Sequence, residues 1–171
     1  IDNNTIEGYR ILTGWSRLRK VYFVAKFSKP FTSVELYNGK KNYGNIDLIN
    51  GTNVKGVLNF KTNKDEPLII KVGLSTVDMD GAKKNLESEM KDWNFDAIVA
   101  KNNLAWNTAL SVIDIEAPKE IKEVFYTGLY RNYIQPNNIA DVDGRYIAPD
   151  YSVNTSPSGK YYSTFSLWDT Y

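Results

Sequence analysis

The chain has 171 residues, 21 basic and 20 acidic side chains, a net charge of +1 and 13% aromatic residues, with no cysteine and no histidine. This length predicts one domain or one and part of another, and the balanced charge disfavours a nucleic-acid-binding protein, which usually has a basic face. Without cysteine or histidine, thiol nucleophiles, zinc sites built on those residues and serine–histidine–aspartate triads are excluded within the chain. No apolar run is long enough to predict a membrane span, so we expect no membrane partner.

The first 77 residues have the pattern of an antiparallel β structure. Residues 20–27 alternate, with Val21, Phe23, Ala25 and Phe27 on one side, which is the two-residue period of a strand. Turn signals such as Asn38-Gly39 separate the strands, and no helical pattern interrupts them. We therefore predict part of a β-sandwich. The predicted strands are 9–12, 20–27, 33–37, 46–49, 54–60 and 68–74.

The hydrophobic period becomes helical after residue 78. Asp78 and Asp80 are placed to cap the first helix, and Pro118 is predicted in the first turn of the third, where its missing N–H costs little. The predicted helices cover about 81–92, 96–113 and 118 to the stop at Pro136, followed by a mostly looped stretch 135–160 and an extended segment 161–167.

Two short acidic motifs look like fragments of a calcium-binding loop. They are Asp78-Met79-Asp80-Gly81 and Asp141-Val142-Asp143-Gly144. An EF-hand loop needs oxygen ligands at its first, third and fifth positions before a glycine at the sixth. That alignment puts Thr76 or Ile139 at the first position, so the motif fails. We interpret the two segments as a helix cap and an Asx-turn.

The tryptophans divide into structural and functional candidates. Residues 14–20 combine Trp15 with three cations, which fits a rim for an anionic or sugar ligand, although we favour a hairpin connection with solvated charges. Trp93 and Trp106 have apolar neighbours at helical spacing and are predicted to pack in the core. Trp168-Asp169 pairs an aromatic face with a carboxylate, the usual composition of a sugar subsite. The dipeptide alone leaves a structural role open.

Five blocks, in order along the chain, resemble glycoside hydrolase family 92, the α-mannosidases. The match begins at Gly8-Tyr9-Arg10 and Gly14-Trp15 and spans almost the whole chain. The other blocks are VYFVAKFSKPF at 21–31, FYTGLY at 125–130 leading to Pro136-Asn137, DVDGRY at 141–146, and YSTFSLWDTY at 162–171. Together they identify the chain as a member of that family.

The resemblance implies a division of the chain and a function. It predicts an α+β fragment with part of an N-terminal β-sandwich at 1–77, a helical linker at 78–117 and the beginning of an (α/α)6 catalytic barrel at 118–171. It implies a calcium-dependent, inverting exo-α-mannosidase, often specific for α-1,2 linkages, that removes terminal mannose from glycans. Trp168 and Asp169 would line the pocket for that mannose.

The resemblance also implies that the chemistry lies outside this chain. An inverting glycosidase needs an acid and a base about 6.5–9.5 Å apart, and the family's His-Glu and Glu-Asp blocks are absent here. Catalytic residues and calcium ligands are therefore expected elsewhere in the parent polypeptide, and this chain alone is expected to be inactive. By the same resemblance we expect a bacterial, periplasmic or extracellular enzyme.

The ends of the chain and its role leave alternatives open. It lacks an initiator Met and closes on the aromatic segment Trp168–Tyr171, so we expect a piece of a longer protein. Besides a piece of a mannosidase, it can be a non-catalytic carbohydrate-binding or interaction β-sandwich module, or a purely structural connector. A partial sandwich is expected to expose an unpaired strand edge and to associate with other chains.

Overall fold

The computed structural model describes residues 2–14 and 18–162, and this part has an α+β fold with antiparallel strand pairing. The predicted fold class is therefore confirmed. The strands are β1 (Thr5–Leu12), β2 (Arg19–Phe27), β3 (Phe31–Asn38), β4 (Lys41–Gly44), β5 (Val54–Phe60), β6 (Ile70–Ser75), β7 (Arg145–Ile147) and β8 (Val153–Thr155), and the helices are α1 (Met79–Glu89), α2 (Phe95–Leu110) and α3 (Lys119–Asn132).

The strands before α1 form two three-stranded sheets, ordered β1-β2-β6 and β4-β3-β5. The sheets meet at three phenylalanines. Phe27 of β2 lies with its ring centroid 5.2 Å from Phe60 of β5 and 6.5 Å from Phe31 of β3. Such tilted and edge-to-face pairs stabilise a junction beyond the area they bury. The two sheets therefore contact each other at this aromatic cluster.

Helix α1 covers one face of the β1-β2-β6 sheet. Val24, Ala82 and Leu86 are almost fully buried and form the core cluster. Gly73 of β6 lets the helix approach closely, because a Cβ atom there would lie 2.6 Å from Leu86 Cβ and would overlap the Ala82 carbonyl oxygen. The smallest residue in β6 thus sets the distance between sheet and helix.

Helices α2 and α3 contact each other through aromatic residues. The ring centroids of Trp106 and Tyr130 are 4.5 Å apart, and the Tyr126 hydroxyl donates to the Ile113 carbonyl oxygen at 3.0 Å. Leu104 and Val124 remain 68% and 73% exposed. No helix in the described part of the chain is long and apolar enough to cross a membrane.

The structure corrects three local predictions. Residues 46–49 are not a strand, because a two-residue turn after β3 places the partner strand β4 earlier. The stretch predicted as loop contains the β7-β8 hairpin. Trp93 is 38% exposed and lies over the Lys71 ammonium, with 4.2 Å from Nζ to the ring centroid, so it is not a core residue.

Two other predictions are not tested by the described residues. Only the first two residues of the predicted extended segment 161–167 are described, and Tyr162 forms an isolated antiparallel bridge with Asn138. The division of the chain at 77/78 and 117/118 stays a prediction.

Candidate functional site

The predicted sugar-binding pair, Trp168 and Asp169, lies outside the described residues, as does Trp15 of the predicted rim. Arg19 and Lys20 of that rim begin β2, and Leu12 pairs with Arg19 across the β1-β2 hairpin. Residues 15–17 lie outside the described residues, so the hairpin and ligand-rim interpretations of residues 14–20 both stay predictions. The described residues nearest in sequence to Trp168 are Tyr161 and Tyr162.

Segment 138–147 returns to the N-terminal sheet and α1 through a buried carboxylate. Asp141 is 2% exposed. Its Oδ2 accepts from the Ser75 hydroxyl at 2.8 Å, and its Oδ1 accepts from Asn85 Nδ2 at 2.8 Å. Gly81 lies against the same carboxylate. We call Ser75, Gly81, Asn85 and Asp141 the Asp141 cluster.

A second group of charges lies beside it at the start of α1. Arg145 donates to Asp78 from Nη1 at 2.5 Å and Nη2 at 3.2 Å, and to Asp143 Oδ2 from Nε at 2.9 Å. Lys84 bridges Asp80 at 2.7 Å and Asp143 at 3.2 Å. These five residues form the Arg145 cluster, in which each carboxylate faces a cation.

The two clusters perturb their carboxyl groups in opposite directions. The hydrogen bond from Arg145 is the main cause that lowers the pKa of Asp78. Burial opposes the change at Asp143, but hydrogen bonds from Arg145 and Lys84 lower its pKa overall. Burial raises the pKa of Asp141 despite its hydrogen bonds. The Arg145 cluster therefore stabilises ionised carboxylates, whereas the Asp141 cluster holds a carboxyl group in a buried site.

The calcium-like motifs serve local structure. Asp78 is the N-cap of α1, and its Oδ1 accepts from the Gly81 N–H at 2.7 Å. Asp143 Oδ1 accepts from the Arg145 N–H at 3.2 Å, and Gly144 completes the turn with a φ of 82°. The cap and Asx-turn interpretations are confirmed. Within residues 2–14 and 18–162, no group of three or more histidine, cysteine, aspartate or glutamate side chains could hold a metal ion.

A cleft of about 410 Å³ lies beside the Asp141 cluster. Thr76 and Val77, next to Ser75, form one wall, and Ile139 and Ile147 lie on the segment that Asp141 anchors. Arg19 and Lys20 at the start of β2 bring two cations to it. The other lining residues are Leu18, Tyr22, Ala148, Pro149, Tyr151 and Val153. The cleft thus joins polar and aromatic groups from the sheet and from the 139–153 segment.

Sequence reasoning missed both clusters, because their partners are far apart in the chain. Ser75 and Asp141 are 66 residues apart, and Arg145 and Asp78 are 67 apart. One signal was available: a glycine in the first turn of a helix is unfavourable unless another group needs the space. Gly81 is such a residue.

Comparison with protein-family models shows the family of the chain. The Glycosyl hydrolase family 92 N-terminal domain matches residues 1–75, and the Glycosyl hydrolase family 92 catalytic domain matches residues 81–171. The chain belongs to glycoside hydrolase family 92. No curated protein sequence matches it.

Solved family 92 structures superpose on almost the whole chain. The α-mannosidase BT3965 of Bacteroides thetaiotaomicron is 32% identical, with 99% of this chain and 24% of BT3965 covered and a TM-score of 0.90. BT3965 has also been solved in complex with mannoimidazole. This family 92 chain therefore spans about a quarter of the length of that relative.

Two more distant structures share the fold. The glycosyl hydrolase ccman5 is 23% identical, with 97% of this chain and 23% of ccman5 covered and a TM-score of 0.80. The inverting mannosidase BT2199 of Bacteroides thetaiotaomicron is 23% identical, with 98% of this chain and 24% of BT2199 covered and a TM-score of 0.81. The architecture of this family 92 chain is thus retained at low identity.

Proposed function

We propose that this chain is part of an inverting exo-α-mannosidase that removes terminal mannose from glycans. The observation that carries the proposal is the match to the α-mannosidase BT3965 along 99% of the chain at 32% identity. In this proposal the chain contributes sandwich strands, the helices that follow and the beginning of the catalytic domain. Trp168 and Asp169 bind the terminal mannose, the ring through its C–H face and the carboxylate through paired hydroxyls.

The acid and base belong to the rest of the parent polypeptide in this proposal. An inverting enzyme needs two carboxyl groups about 6.5–9.5 Å apart, with room for the attacking water. The acidic groups of the Arg145 cluster are paired with Arg145 and Lys84, so they are poorly suited to that task. We therefore expect the 171-residue chain alone to release no mannose, and the complete polypeptide to release it.

The test compares the complete polypeptide with the 171-residue chain on an α-1,2-linked mannobioside. Proton NMR of the first product should show β-mannose if the configuration inverts, whereas α-mannose would overturn the inverting mechanism. Asp169→Ala and Trp168→Ala should each reduce kcat/KM about 100-fold or more, because groups that position the reacting sugar act on the transition state. Unchanged kinetics in both variants would remove these residues from the site.

Calcium dependence and location are further parts of the proposal. We expect chelator treatment of the complete polypeptide to abolish activity and Ca²⁺ to restore it better than Mg²⁺, since Ca²⁺ takes more oxygen ligands in a flexible geometry. Recovery of the enzyme in the periplasmic or extracellular fraction would support export. Activity unchanged by the chelator would contradict calcium dependence.

The alternative of a carbohydrate-binding or interaction module makes a separate prediction. Such a module would bind sugar without the remainder of the polypeptide. Calorimetric titration of the 171-residue chain with mannose and mannan should give no heat of binding under the mannosidase proposal. Saturable binding by the chain alone would favour the module.

A further inference from the structure

Asp141 is buried without a directly paired cation. Among the ion pairs of the described residues none involves it, and its side chain is nearly inaccessible. Burying an ionised carboxylate is costly unless hydrogen bonds compensate. A surface turn such as 141–144 does not by itself require this, because Asp143 makes the Asx-turn. The position of Asp141 therefore calls for another explanation.

Both Asp141 oxygens face donors whose direction is fixed by other bonds. The Ser75 hydroxyl oxygen accepts from the Val77 N–H at 2.9 Å, so its proton is directed to Asp141. Asn85 Nδ2 donates to both the Leu74 carbonyl and Asp141, while Asn85 Oδ1 accepts from the Val142 N–H at 2.8 Å. The Asn85 amide cannot flip without losing these bonds, so the site requires an acceptor at each oxygen of residue 141.

Helix α1 leaves space for this carboxylate. A Cβ atom at position 81 would overlap Asp141 Oδ2 and would lie 2.7 Å from Ser75 Oγ. A glycine in a helix is unfavourable relative to alanine. Glycine at position 81, in the first turn of α1, therefore leaves the space that the Asp141 carboxylate occupies.

The segment held by Asp141 binds Tyr161, which precedes the proposed mannose-binding residues in the sequence. The Ile139 N–H donates to the Tyr161 carbonyl at 2.8 Å, and Asn138 Oδ1 accepts from the Tyr161 N–H at 2.9 Å. The Tyr146 and Tyr161 rings stack at 3.8 Å with 12° between their planes. Tyr161 is therefore fixed on both sides by the segment that contains Asp141, and Trp168 follows seven residues later in the chain.

We propose that Asp141 is a positioning residue for the mannosidase site, which it serves by clamping segment 138–147, and through it Tyr161, to β6 and α1. The inference rests on the proposed function, because its consequence is the placement of the polypeptide that carries Trp168 and Asp169. Asp141 itself touches no substrate. Its effect is transmitted through the backbone bonds at Ile139 and Tyr161.

The test uses the complete polypeptide, with kcat/KM measured on an α-1,2-linked mannobioside well below every unfolding midpoint. Asp141→Asn puts an amide N–H against a donor and should lower kcat/KM about 10-fold or more, since a 1 Å misplacement can cost about 100-fold. Ser75→Ala removes one of the two hydrogen bonds to Asp141 and should also lower kcat/KM, by a smaller factor. Affinity for mannoimidazole, measured by calorimetry on folded protein, should fall in both. Asp65→Asn is the control, an exposed aspartate with a φ of 63° that asparagine tolerates.

Gly81→Ala tests the clamp from its other side. Its Cβ should displace the carboxylate and lower kcat/KM as Asp141→Asn does. In an Asp141→Ala background the same change should have little further effect, because the group it displaces is gone. These variants keep the proposal testable if Asp141→Asn does not fold.

The outcomes separate the two proposals. A wild-type polypeptide that releases no mannose overturns the proposed function. The positioning role is overturned by a different result, in which the wild type is active and the variants change only the unfolding midpoint. In that case Ser75→Ala, Gly81→Ala and any folded Asp141→Asn would stay within about two-fold of the wild type in kcat/KM and in mannoimidazole affinity.

Discussion

Arg145 and Asp78 form a two-point ion pair that joins the β7-β8 hairpin to the N-cap of α1. Guanidinium Nη1 lies 2.5 Å from Asp78 Oδ2, and Nη2 lies 3.2 Å from Asp78 Oδ1. The same Oδ1 accepts from the Gly81 N–H, so one carboxylate both caps the helix and binds the hairpin. The β7-β8 hairpin is therefore connected to the start of α1 by charge, and the turn before it is connected to β6 and α1 by the Asp141 cluster.

Removing the guanidinium should weaken the chain. Arg145→Ala leaves Asp78 and Asp143 without their main donor, and we expect the free energy of unfolding to fall by about 1–3 kcal/mol, since both carboxylates keep partial solvent access. Arg145→Lys should recover only part of this, because an ammonium cannot donate in the fork geometry. Urea denaturation measures both, with exposed Lys101→Ala as the charge-matched control. Equal stability of Arg145→Ala and the control would contradict the prediction.

The Asp78 pair also predicts a pH dependence. The pKa of Asp78 is lowered in the folded chain, so its ionised form contributes stability above the unfolded pKa that is lost as pH falls through the folded pKa. The contribution should therefore begin to decline below about pH 4 and be lost at lower pH. Asp141 has the opposite sign, because burial raises its pKa and its ionisation therefore costs stability as pH rises through the unfolded and then the folded pKa.

Asp78→Asn isolates this effect, because asparagine still caps a helix while losing the charge. Its urea-unfolding free energy should lie below that of the wild type at about pH 7, and the difference should shrink at about pH 3. A penalty of the same size at both values would show that the carboxylate charge does not contribute.

The parts of this fold that could be predicted from sequence are those set by local period. Strand β2 was predicted at 20–27 and lies at Arg19–Phe27, because alternating apolar residues pack against α1 on one face and the second sheet on the other. Helix α2 was predicted at 96–113 and ends at Leu110. Its capping residue is Asn94, whose side chain accepts from the Ala97 N–H.

The parts that could not be predicted depend on contacts between distant residues. Strand β4 is polar and four residues long, so its pairing with β3 is set by a tight turn rather than by hydrophobic alternation. Asp141 looks like any turn aspartate until Asn85 and Ser75 are brought to it by packing of α1 on β6. Local sequence patterns carry no information on such pairs. Gly73 and Gly81 indicate that another group packs closely against the backbone, but they do not show which residue it is.

A side chain at position 73 is expected to lower the free energy of unfolding. In Gly73→Ala the new Cβ would meet Leu86 Cβ at 2.6 Å and the backbone of Ala82, neither of which can move easily. We expect a loss of about 1–3 kcal/mol, typical of overpacking in a close-packed core. The matched control is Gly128→Ala in α3, where the added Cβ meets no described atom within 4 Å beyond the neighbouring residues and the nearby backbone of its own helix. That change should stabilise the chain by up to about 1 kcal/mol through helix propensity. Thermal unfolding of both variants measures the opposite signs, and destabilisation of equal size in both would contradict the role of Gly73.

Strand β6 predicts association of the isolated 171-residue chain. It lies at one side of the β1-β2-β6 sheet, and within the described part Ile70, Val72 and Leu74 are 51%, 43% and 56% exposed. An apolar strand at a sheet edge is a template for pairing with another chain. We expect light scattering to show a mass that rises with concentration, and Leu74→Lys to reduce it, because a charged edge disfavours pairing. Leu48→Lys is the control, since Leu48 is 75% exposed but lies in a loop. A wild-type chain that stays monomeric, or an equal effect of the two lysines, would mean that the β6 edge does not drive association.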